Sequence, residues 1–148
     1  MIEVFQVMLK LEAKPVTHWE GSAMPAGDLE GLVGSVSFAG KISGVLYLNC
    51  TRKLACALTE RLIGSRPTDA SQPLVIDAIG EITNMITGDM KRRTAALGYN
   101  GLLAPPLVIQ GRSLFIDPKH APITSHNLFR IPDLQEDLAV RVFAKLEA

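Results

Sequence analysis

The stretch from Pro73 to Leu97 constrains this chain most, because Val75, Ile79, Ile82 and Ile86 recur in it at i, i+4, i+7 and i+11. At about 100° per residue these four fall within a stripe roughly 60° wide, the buried face of an amphipathic helix. Pro73 suits a first helical turn, where its missing N–H is no loss, and Gly98 is placed to supply a left-handed cap. The predicted helix is roughly 24 residues long, or about 36 Å.

Shorter elements are expected on either side. Val4, Val7/Met8 and Leu11 have helical spacing ahead of Pro15, and the segment from Thr17 to Asp28, with Gly21, Pro25 and Gly27, reads as loop. Alternation through Val33, Ser35, Val36, Ser37 and Phe38 predicts a strand, which Ala39-Gly40-Lys41 turns into a second one, Ile42 to Leu48. Leu54, Leu58 and Leu62 then predict a helix from Thr51 to Ile63, capped by Gly64, with Arg66 to Ser71 as linker. Beyond Gly98 come short apolar runs: Leu107-Val108-Ile109, Leu114-Phe115-Ile116, Leu128 to Ile131, and Leu138 to Phe143. Helices flanking two groups of strands predict one α+β domain over residues 1–148, with a mainly antiparallel sheet and flanking helices.

Composition excludes several functions. Fifteen basic and fifteen acidic residues cancel, which argues against a nucleic-acid binder or a protein held to anionic lipid. No apolar run approaches the roughly 20 residues of a membrane span, and the opening Met1 to Gln6 lacks the pattern of a signal peptide, so a cytoplasmic setting is expected. Cys50 and Cys56 have no CxxC spacing and are expected as reduced thiols. His18, His120 and His126 lack the spacing of a metal site, so no metal ligands are assigned. Gly34 to Lys41 is one residue too long for a phosphate-binding loop, and Ile42 stands where the hydroxyl would be. Lys91-Arg92-Arg93 reads as a solvated helix end that complements the dipole.

The other side of the long helix is more informative. Asp77, Glu81 and Asn84 cluster within about 60° of one another, nearly opposite the apolar stripe. Exposed polar residues usually form only a solvated face. Asn84 fits that reading poorly, since asparagine costs a few tenths of a kcal/mol in mid-helix. Gly88, one turn on, costs up to about 1 kcal/mol and leaves a bare patch where another chain can approach. Gly80 has the same capacity, or serves packing within the domain.

Asp77-x3-Glu81-x2-Asn84, followed by Pro105-Pro106, resembles the signature of the CheC/CheX-type chemotaxis phosphatase family. Phe38-Ala39-Gly40-Lys41-Ile42-Ser43-Gly44, Leu62-Ile63-Gly64 and Leu97-Gly98-Tyr99 are similar in placement, so the resemblance spans roughly Val4 to Phe143. Pro106 stands one residue closer to Asn84 than the family pattern has it, a difference that falls on loop geometry. A single Glu-x2-Asn copy resembles the CheX type, which implies a homodimer paired through the sheets.

The resemblance implies a phosphatase acting on the aspartyl phosphate of a CheY-like response-regulator receiver domain. That partner would supply the acyl phosphate, a Mg²⁺ and a lysine, and this chain would bind no cofactor of its own. Asn84 would position the attacking water, and Glu81 would pair with the receiver lysine. Asp77, Gly80 and Gly88 would contact the partner, Asp77 ranking below the catalytic pair. The alternative is a non-catalytic module on this fold that docks a signalling or flagellar protein.

Overall fold

The computed structural model describes residues 1–20, 29–114 and 121–147. In chain order the elements are α1 (Ile2–Met8), β1 (Lys14–Glu20), β2 (Leu29–Gly40), β3 (Ile42–Cys50), α2 (Arg52–Ile63) and α3 (Pro73–Ala96). They continue with β4 (Gly101–Leu103), β5 (Leu107–Leu114), β6 (Ile123–Ile131), a 3-10 turn (Pro132–Leu134) and β7 (Glu136–Leu146). The described strands form one antiparallel sheet of order β1-β6-β7-β3-β2-β4, with β5 pairing β2 beside β4. The fold is α+β, as expected.

Strand alternation decides which face is buried. In the β3–β7 register Leu46, Leu48 and Cys50 stand opposite Val142, Val140 and Leu138, so one face of the sheet is apolar. Onto that face pack Phe5 and Leu9 of the α1 region, Leu54 and Leu58 of α2, and Val75, Ile79, Ile82 and Ile86 of α3, in a single core. Burying each of the three isoleucines is worth about 2 kcal/mol. Thr51 caps α2 by accepting from Leu54 N at 3.0 Å, and Gly64 ends it in a left-handed conformation.

At its centre α3 touches the sheet. A Cβ at Gly34 of β2 would overlap Thr83 Oγ1, so only glycine lets the helix lie this close. Thr83 and Thr87 are buried and donate their hydroxyls to the carbonyls of Ile79 and Thr83, each at 2.7 Å. Gly34 therefore serves helix docking within a hairpin strand. Beyond the helix, Gly98 takes φ +92°, the left-handed value expected of its cap.

Four local expectations change. Residues 17–20 are strand, pairing with β6 from Thr17↔Leu128 to Glu20↔Ser125. Pro15 is tolerated because β1 is an edge strand with its register shifted between Pro15 and Thr17. The rest of the expected loop, to Asp28, lies outside the described residues. Leu114 ends β5 rather than starting a new strand, while Phe115, Ile116 and His120 lie outside the described residues. Gly101–Leu103, unmarked in the sequence, pairs with β2. Finally, α1 ends at Met8, so its inward residues are Val4 and Phe5, while Val7 and Met8 face solvent.

Candidate active site

Every residue of the candidate site is positioned by α3. Gln72 stands at the N-cap position, its side chain accepting from Thr68 N of the linker at 3.1 Å and not from the helix, and Pro73 occupies the first turn. The four-residue apolar stripe is buried to 3% exposure or less, which fixes the rotation of the helix about its axis. With that rotation Asp77 and Glu81 are exposed and Asn84 is half-buried on the outward side. Among the described residues none hydrogen-bonds or ion-pairs with these three side chains. The carboxylate of Glu81 and the amide of Asn84, less than one turn apart, are thus held by the helix and left available to an incoming group.

The two glycines differ. Gly80 is buried, and a Cβ there would sit 3.6 Å from Val108 and 3.7 Å from Pro106. It packs against the turn before β5 and offers no open surface, so any part in partner contact runs through Pro106. The fold thereby brings Pro105-Pro106 alongside the residue next to Glu81. Gly88 is different: a Cβ there meets nothing within 4 Å, and the glycine borders a groove between α3 and α1.

Sequence reading missed a charged cluster next to that groove. Asp89 accepts from Arg93 Nε at 3.0 Å, from the Met1 ammonium at 3.2 Å and from Arg92, while Glu3 of α1 pairs with Arg93 at 3.1 Å. Burial alone would raise the Asp89 pKa, but the hydrogen bonds from Arg92, Arg93 and the Met1 ammonium outweigh it and hold the carboxyl down at about 2. Arg92 and Arg93 therefore tie α1 to α3, beyond the dipole role expected of them. The i, i+3 and i+4 spacing from Asp89 was the available signal, though Glu3 could be placed only by the fold.

Other reactive groups lie elsewhere. Burial, then the nearby Cys56 and Glu136, pushes the Cys50 thiol up to about 12, which keeps it protonated and unreactive. His18 meets Asn127 at 2.7 Å, and the buried His126 ring stands edge-on to Phe143. Among the described residues no three His, Cys, Asp or Glu side chains converge to hold a metal. No described helix is long and apolar enough to cross a membrane. An exposed carboxylate and amide can together hold a water and pair with a cation.

A long helix laid on an antiparallel sheet is the fold of the CheC/CheX class of chemotaxis proteins. The family model for chemotaxis phosphatase CheX matches residues 32–127, and the chain belongs to that family. The CheY-P phosphatase CheX of Thermotoga maritima is 29% identical over 85 residues, covering 57% of this chain and 55% of that protein. The match thus spans little more than half of that relative. Chemotaxis protein CheX from Vibrio vulnificus shares the fold with a TM-score of 0.86 at 24% identity, over 97% of this chain and 93% of that one. The CheX–CheY–BeF3–Mg²⁺ complex from Borrelia burgdorferi contains a similar fold, with TM-score 0.75 and 19% identity over 97% of this chain and 91% of that one.

Proposed function

We propose that this protein hydrolyses the aspartyl phosphate of a CheY-like receiver domain in chemotaxis signalling. The observation that carries this reading is the pair on α3: Glu81 exposed and Asn84 half-buried, neither engaged within the described chain, on a helix fixed by four buried residues. Membership of a chemotaxis phosphatase family supports the reaction class. The receiver brings the acyl phosphate, its lysine and the Mg²⁺ that neutralises developing charge on the phosphoryl oxygens.

This chain contributes placement. The Asn84 carboxamide has both a donor and an acceptor, so it can hold a water in line with phosphorus without itself gaining or losing a proton. Glu81, on the same face, pairs with the receiver lysine and fixes the angle at which α3 enters the cleft. Asp77, one turn before Glu81, extends the polar contact. A rigid helix suits this task, because in-line attack tolerates little misplacement. A homodimer would form through an exposed sheet edge, at β1 on one side or β4 and β5 on the other.

The test follows phosphate loss from Mg²⁺-loaded, phosphorylated receiver domains with and without the wild-type protein, and with Glu81→Ala. Accelerated loss with wild type, and a raised KM together with a lower kcat for Glu81→Ala, supports the reading. Binding of a receiver with no acceleration of phosphate loss would instead identify a docking module.

A further inference from the structure

A receiver seated on Asn84 needs more surface than Glu81 and Asn84 provide. Specific interfaces bury roughly 800 Å² per partner, several times what two side chains offer. The contact must therefore extend along α3, and one turn beyond Asn84 the surface changes character. There Gly88 and Met85 face Val4, Val7 and Met8 of α1 across a groove of about 330 Å³, with Arg92 at its rim. Val7 and Met8 are 55% and 49% exposed. Isolated apolar residues at a surface need no explanation. Two together on the wall of a groove, facing a helix position with no side chain, make a shallow, open apolar seat instead.

The seat is built rigidly. Phe5 and Leu9 anchor the α1 region in the core, and Glu3 pairs with Arg92 at 3.7 Å and Arg93 at 3.1 Å on α3. Beside the seat Arg92 and Arg93 are matched by Glu3 and Asp89, so the side-chain charges along the rim balance. Through Gly88, one turn after Asn84, the groove is continuous with the face that would meet the receiver.

We propose that the α1–α3 groove seats an apolar side chain of the phosphorylated receiver and supplies affinity while Asn84 supplies rate. This inference rests on the phosphatase reading and assigns the groove a separate part in it.

The experiment compares Val7→Asp, Met8→Asp and Gly88→Leu with wild type in steady-state dephosphorylation of the receiver. Binding is measured in parallel to receiver loaded with beryllofluoride and Mg²⁺. Leu146→Asp, at the exposed end of β7, is the control. Gly88→Leu fills open space and favours the helix, so it keeps the fold testable if an α1 variant unfolds. The expected result is a KM and a Kd raised about tenfold with kcat within twofold, and no change for Leu146→Asp. Unchanged KM and Kd in Gly88→Leu and in the folded α1 variants would overturn the groove while leaving the phosphatase reading intact. So would self-association of wild type that Val7→Asp abolishes without altering KM, since the groove would then receive a second copy of the chain. Wild type that neither binds nor dephosphorylates any receiver would overturn both.

Discussion

Gly34 of β2 and Thr83 of α3 are in such close contact that a methyl group on the glycine would overlap the threonine hydroxyl, which is already donated to the Ile79 carbonyl. This contact sets how closely the helix bearing Glu81 and Asn84 approaches the sheet. Gly34→Ala should therefore destabilise the fold by about 2 kcal/mol, the usual scale of overpacking in a closed core. Denaturant unfolding checks it. Removing the obstacle with Thr83→Ala in the same chain should recover part of the loss, a coupling expected only of residues in contact.

The long helix and the hairpin were legible because their signals are local. Val75, Ile79, Ile82 and Ile86 state the period of α3, Pro73 and Gly98 bound it, and Gly40-Lys41 marks the turn between β2 and β3. β1 was not legible, because its order comes from pairing with β6, more than a hundred residues away, and its own sequence contains Pro15. β4 has three residues and exists through its pairing with Phe38, Ala39 and Gly40. The Glu81/Asn84 face followed from helical geometry alone. The approach of Pro106 to Gly80, and of α1 to Gly88, depends on topology that no spacing in the sequence encodes.

Asp89 gives a pH dependence of defined sign. Its pKa is depressed to about 2 in the folded protein, so its contribution is present above the unfolded value near 3.8 and is lost as pH falls through about 2. The shift corresponds to roughly 2 kcal/mol. Wild type should exceed Asp89→Asn in stability by about that amount at pH 6, with the gap closing between pH 4 and pH 2. A gap that persists at pH 2 in urea unfolding would assign the loss to packing instead.

Arg141 predicts a gain. It lies on the sheet face away from α3, between Tyr47 and His126 on the neighbouring strands, and is 7% exposed. Burial lowers its pKa, and no carboxylate or other acceptor pairs with it among the described residues. A guanidinium remains charged even so, and holding it against the sheet with part of its hydration removed is costly. Arg141→Met should retain the packing of the side chain's stem and raise stability by about 1 kcal/mol, read from thermal or urea unfolding. A fall in stability would mean that the guanidinium is paired in solution.

The division of labour on α3 is tested most directly by single-turnover decay of a saturating complex between this protein and a Mg²⁺-loaded phosphorylated receiver, comparing wild type with Asn84→Ala. If Asn84 holds the attacking water, the variant should bind the receiver with affinity within about threefold of wild type while its decay rate falls by a factor of about 100 or more. Decay in Asn84→Ala at the wild-type rate, with binding intact, would contradict the account at its centre.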